Sequence, residues 1–136
     1  MVRKFFARFV MMTALAVVTF SFALHEAEAR QELSGSEIKS MITGKRIFLK
    51  VPFGGEFPLR YSSNGTVFGD GTALGLGKRM APKEAGRWWV KNGQLCQQWK
   101  TWYKGQVACF RLFQLDDNEL YWQRNDGRSG NARISN

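Results

Sequence analysis

Apolar residues in the segment from residue 30 to 136 recur at two different periods, and the change between them organises the chain. Ile38, Met41 and Ile42 follow the i, i+3, i+4 spacing that lines one face of a helix. The preceding Ser34-Gly35-Ser36-Glu37 fits a capping box, in which the Ser34 hydroxyl and the Glu37 carboxylate each satisfy an orphan backbone N–H. Leu33 and Ile38 stand at staple positions, and Gly44 stands where a C-cap glycine belongs. These signals predict a short helix from about residue 35 to 43, with Arg30 and Gln31 as a frayed start.

After Gly44 the period becomes two. Ile47, Leu49 and Val51 alternate with Arg46, Phe48 and Lys50 in a strand that ends at Pro52. Residues 57–61 form a second strand, and Asn64-Gly65, the strongest hairpin signal in the chain, returns it as a third at 66–68. Residues 69–77 hold four glycines and 78–85 are polar with Pro82, which predicts the longest loop. Strands follow at 87–91, 94–102, 106–115, 118–124 and 131–134. Their turns fall at Asn92-Gly93, Lys104-Gly105, Asp116-Asp117-Asn118 and Asp126-Gly127. The expected fold is mostly β: a short N-terminal helix, then an antiparallel meander forming a small barrel or sandwich.

The first 29 residues belong to a different category. Arg3, Lys4 and Arg8 precede an uncharged apolar run from Val10 to Leu24, and Ala27-Glu28-Ala29 is an A-x-A cleavage site. The run is short beside the roughly 20 apolar residues of a membrane span. No cysteine follows it, which argues against a lipid-modified N-terminus. Residues 1–29 therefore read as a signal peptide, and 30–136 as a single exported domain, periplasmic or secreted, with no transmembrane anchor after cleavage.

Cleavage changes the inventory. The full chain carries 20 Lys+Arg and 11 Asp+Glu, and losing three cations and two anions leaves a net charge of +8. His25, the only histidine, leaves as well, which removes histidine-activated nucleophiles and histidine metal sites. Cys96 and Cys109 remain. In an oxidising compartment they read as a disulfide worth about 3 kcal/mol, with a pair of free buried thiols as the rival reading. Their spacing is not that of a C-x-x-C redox pair. A two-residue Lys104-Gly105 turn would pair Lys100 with Cys109. The bond thus requires a turn centred one to two residues earlier, or a bulge.

Gly86-Arg87-Trp88, Leu95-Cys96, Trp99, Cys109 and Tyr121-Trp122 before Asp126-Gly127 together resemble a family of small exported bacterial domains of unknown function. The resemblance spans most of residues 33–134. It implies a periplasmic, disulfide-bonded domain and supplies no catalytic residues. The helix-then-meander order is similar to lipocalin-like barrels in architecture alone.

Candidate chemistry is sparse. Glu32, Glu37, Glu56, Asp70, Glu84, Asp116, Asp117, Glu119 and Asp126 are the carboxylates from which a hydrolase pair, converging within about 5–10 Å, would have to come. Turn chemistry explains Asp116, Asp117, Glu119 and Asp126, whereas Glu56 and Asp70 lie near glycine-rich stretches without such a reason. The stretch from Gly69 to Arg79 fails as a phosphate loop because Arg79 stands where Ser or Thr is needed. Asn64-Gly65-Thr66 matches a glycosylation acceptor but is explained by the hairpin. No catalytic motif, cofactor or metal site emerges, and a non-enzymatic protein is expected.

One pattern points outward. Arg46-Phe48-Lys50, Arg87-Trp89-Lys91 and Lys100-Trp102-Lys104 are cation-x-aromatic-x-cation triplets, and period-two geometry puts each on one strand face. Apolar Ile47, Leu49, Trp88 and Val90 turn the first two triplets outward. Trp102 is ambiguous, because its strand is apolar on both sides. A ring between cations suits stacking on a sugar while the cations hold acidic groups. The plainer explanation is that Lys and Arg stems cover exposed rings. The leading expectation is recognition of an acidic envelope component through this face: an acidic polysaccharide, lipopolysaccharide, peptidoglycan or an acidic protein patch. Nucleic acid is not an expected partner of an exported protein. The alternatives are a barrel holding a small apolar ligand, with the 69–85 loop at its mouth, and a carboxylate-based hydrolase.

Overall fold

Both periods are realised in the computed structural model, which describes residues 30–52, 54–74 and 83–136. The signal-peptide reading and residues 75–82 of the expected loop lie outside them. Helix α1 spans Gly35–Ile42, and its capping box is formed: Glu37 N donates to Ser34 Oγ and Ser34 N donates to Glu37 Oε2 at 2.7 Å. Ile38 and Ile42 are buried. Gly44, at φ 75°, turns the chain out of the helix and donates to the Tyr61 carbonyl at 2.6 Å. Among the described residues no helix is long and apolar enough to cross a membrane.

Among the described residues nine strands accompany the helix: β1 (Gln31–Glu32), β2 (Arg46–Lys50), β3 (Glu56–Tyr61), β4 (Thr66–Asp70), β5 (Lys83–Lys91), β6 (Gln94–Trp99), β7 (Val107–Gln114), β8 (Glu119–Arg124) and β9 (Ser129–Ser135). β2 to β9 pair antiparallel, each with its neighbour in sequence. β9 then returns to β2, with Ile47 opposite Ile134 and Leu49 opposite Ala132. The sheet therefore closes into an eight-stranded up-and-down barrel, which decides between the two expected architectures and leaves β2–β9 without free edges. The frayed start is corrected: Gln31 and Glu32 pair with Gln114 and Phe113 where β7 runs beyond β6. Glu32 also accepts two hydrogen bonds from Arg111, at 2.7 and 2.5 Å.

The alternation of each strand fills the interior with Ile47, Leu59, Val67, Trp88, Leu95, Leu112, Leu120 and Ile134, among others. Because the first strands, the helix and the hairpins at Asn64-Gly65 and Asn92-Gly93 share one end, α1 closes that end. The connections 51–55, 100–106 and 125–128 lie at the other. Cys96 and Cys109 stand directly opposite each other on β6 and β7 and form a disulfide, with Cα atoms 4.1 Å apart.

That register requires a longer connection than a Lys104-Gly105 turn, and the structure supplies one. β6 stops at Trp99, short of the expected residue 102, and residues 102–105 make a tight 3-10 turn. Tyr103 and Lys104 lie in the left-handed region at φ 55° and 57°. The turn is held from β5 by the Glu84 carboxylate, which accepts from Thr101 N at 2.8 Å, Thr101 Oγ1 at 2.6 Å and Trp102 N at 3.1 Å. β4 also runs on to Asp70 and β5 starts at Lys83, so the expected loop is shorter at both ends.

Candidate functional site

The expected basic-aromatic face divides into three different outcomes. Arg46, Phe48 and Lys50 alternate outward on β2, since Ile47 and Leu49 pack inward. Arg87, Trp89 and Lys91 likewise point outward on β5, opposite Gln98, Cys96 and Gln94. β3 and β4 lie between these strands, so the two triplets do not form one continuous face. The third triplet does not exist as a strand face. Lys100 and Lys104 are exposed, but Trp102 turns inward, with its ring centroid 4.5 Å from that of Trp99 and 5.3 Å from that of Phe57. Gly69 makes this possible, because a Cβ there would collide with the Trp102 ring.

The outer rings are covered by arginines in the plain way. Arg133 lies 4.2 Å from the Phe48 centroid while forming a paired contact with Glu56, at 3.0 and 2.6 Å. Arg87 lies 5.9 Å from the Trp89 centroid, and Arg111 lies 5.1 Å from that of Phe113. Lys50 is bound to Glu119 at 2.9 Å. Each covered ring thus gains a cation–π contact and loses much of its value as a stacking platform.

The carboxylates that lacked a reason now have one. The Arg133 guanidinium holds Glu56 below the usual carboxylate range. Asp70 is lowered by Thr72 and by Lys83, 3.2 Å away. For Glu84, burial opposes the charge, and the hydrogen bonds from Thr101 and Trp102 outweigh it. These are stabilising contacts spread over different strands.

An enclosed space lies inside the barrel. A cavity of about 190 Å³ runs from Ile42 of α1 toward the opposite end. Its wall is apolar, with Ile47, Leu49, Leu59, Leu95, Phe110 and Leu112 among the lining residues. Ala132 is its smallest lining side chain. Deep in the interior, Tyr61 Oη and Gln97 Oε1 form a buried hydrogen bond of 2.8 Å. Burial pushes the Tyr61 phenol well above its usual value, so the hydroxyl stays a neutral donor. Lys50, Val51, Pro52, Tyr103 and Arg124 line the far end of the cavity.

Arg124 was not singled out by the sequence. Its register opposite Phe110 puts it on the inward side of β8, in phase with Leu120 and Trp122. Its side chain is only 12% exposed. Its Nη2 donates to the Asp126 carboxylate in the β8–β9 turn, and the Tyr103 ring centroid lies 4.5 Å from Cζ. Trp122 beside it has a buried Nε1 with no hydrogen-bond partner among the described residues. Tyr61, Gln97, Tyr103 and Arg124 are missing from the sequence-based candidates, because only barrel closure brings them to one space.

A second concave surface of about 610 Å³ lies outside, across β2 to β5. Arg46 and Arg60 face each other there in direct register, and Phe68, opposite Arg60 on β4, is 49% exposed. No family model, curated protein or solved structure matches the chain, so these two concave surfaces carry the functional reading.

Proposed function

We propose that the protein is a small binding barrel that holds a compact, largely apolar molecule in its interior. The observation carrying this reading is the apolar cavity of about 190 Å³ between Ile42 and Arg124. An apolar cavity of about 150 Å³ stays dry and accepts benzene, so this one suits a single ring with a substituent or a short acyl chain. A ligand of about ten heavy atoms gives affinities on the order of 10–100 µM. The proposal includes export: a cysteine pair at bonding distance and an A-x-A site fit a periplasmic or secreted chain. The reading is of a carrier or sensor. Calorimetric titration of the purified protein with toluene tests it. Saturable binding lost in Ala132→Leu, which fills part of the cavity, supports the reading; absence of binding overturns it.

A second reading rests on the outer groove. Like charges directly opposite each other in a sheet are destabilising, yet Arg46 faces Arg60 with no carboxylate within 4 Å among the described residues. Residues 75–82 bring no acidic residue in sequence either. An acidic polysaccharide would supply the missing charge and could stack on Phe68. This reading narrows the expected acidic-envelope contact to Arg46 of the first triplet, joined by Arg60 and Phe68. Salt-sensitive binding of tetragalacturonate, lost in Arg60→Gln, tests it against cellotetraose, its uncharged counterpart.

A further inference from the structure

Resting on the interior-ligand reading, we propose that the ligand carries a single anionic group, a carboxylate on an apolar body, and that Arg124 receives it at the cavity mouth.

The geometry of β8 is the starting point. Trp122 and Arg124 are two residues apart on the same inward face and line the same cavity. A cation at 12% exposure in an apolar wall is costly unless its donors are used. A guanidinium has five N–H donors in a fixed fork. The Asp126 carboxylate accepts from Nη2, and the Tyr103 side chain covers the cation, which among the described residues leaves donors over. Trp122, which also lines this cavity, carries a buried Nε1 donor without a partner among the described residues. The unmet demand is thus for acceptors, and a carboxylate offers two oxygens in the planar geometry that arginine matches.

The local charge balance agrees. Asp126 also faces Arg128, with 3.7 Å between its Oδ2 and Arg128 Nε, so one carboxylate serves two guanidinium groups. Lys50, also at the mouth, is matched by Glu119. Among Arg124, Arg128 and Asp126 one positive charge is left over, enough for a monoanion. The Tyr103 ring is held over the guanidinium by backbone that a non-glycine residue adopts only at a cost, at φ 55° followed by Lys104 at φ 57°. Glu84 anchors the start of that same turn through Thr101 and Trp102. Strain of this kind persists where the surroundings over-determine it, here at the rim of the cavity.

The probes are toluene, benzoate, benzyl alcohol and benzylamine, titrated into the purified protein by calorimetry. Benzoate should bind about tenfold more tightly than benzyl alcohol, as expected of a charge-assisted contact, and benzylamine should not bind. Arg124→Met should abolish the preference for benzoate over benzyl alcohol. Asp126→Asn, on the exposed turn, releases the guanidinium and should tighten benzoate severalfold, which keeps a test available if Arg124→Met does not fold. Toluene binding with equal affinities for benzoate and benzyl alcohol, or with benzylamine bound as well as benzoate, overturns the anionic assignment while leaving the interior cavity in place. Failure of all four probes overturns both.

Discussion

The Tyr61 hydroxyl donates to Gln97 Oε1 across 2.8 Å inside the barrel, linking β3 to β6 through a mostly apolar space. Neither side chain has water to fall back on: Tyr61 and Gln97 are each 3% exposed. Tyr61→Phe leaves the Gln97 oxygen buried without that donor, and should lower stability by about 1–3 kcal/mol. Urea unfolding of the two proteins measures this directly.

Trp102 and the lysines flanking it should behave in opposite ways. Trp102 packs against Trp99 and Phe57, so Trp102→Ala should cost about 3 kcal/mol, in the range of large-to-small changes in a core. Lys100 and Lys104 are exposed, and replacing both by Gln should change stability by less than about 0.5 kcal/mol. Equal effects of the two changes would restore the strand-face arrangement that the 3-10 turn replaces.

The disulfide closes the segment between Cys96 and Cys109, including the strained turn at the cavity mouth. Replacing both cysteines by Ala should remove about 3 kcal/mol of stability. Denaturant midpoints with and without reductant should reproduce that loss in the natural protein and show none in the double variant.

Acid should weaken the fold in a defined direction. Asp126 is held down to about 2, first through its hydrogen bond from Arg124, and Arg133 lowers Glu56. A carboxylate with a depressed value in the folded state binds protons more readily when unfolded. Its contribution is therefore complete above the ordinary value near 4 and is lost as pH falls toward 2. Asp126→Asn should flatten the acid limb of a stability profile between pH 5 and 2, in the same direction as Glu56→Gln but through a different arginine.

Locally encoded features were legible in the sequence. Ser34 and Glu37 lie three residues apart and cap one helix, and the alternation from Arg46 to Lys50 needs no partner strand to assign its faces. An antiparallel meander, barrel or sandwich, also followed from strand spacing, although closure did not, because the β2–β9 pairing joins Ile47 to Ile134 across nearly the whole folded chain. The same limit hid the candidate site. Arg124 looks like one more surface cation beside a turn, and only its register opposite Phe110 turns it inward. Arg60 and Phe68 become neighbours through the β3–β4 register. Trp102 misled because a run apolar on both sides carries no signal that the strand stops at Trp99. That stop depends on Glu84, seventeen residues earlier than Thr101 in sequence, reaching across from β5.

The measurement that tests the interior site most directly is a benzoate titration followed at the indole N–H resonances by NMR. The account predicts a saturable shift of the Trp122 resonance, which lines the cavity, and none at Trp89 on the outer face. Ala132→Leu should suppress the Trp122 shift in a protein that remains folded. A spectrum that does not respond to benzoate, or a Trp122 shift that persists undiminished in Ala132→Leu, would contradict a ligand held inside the barrel.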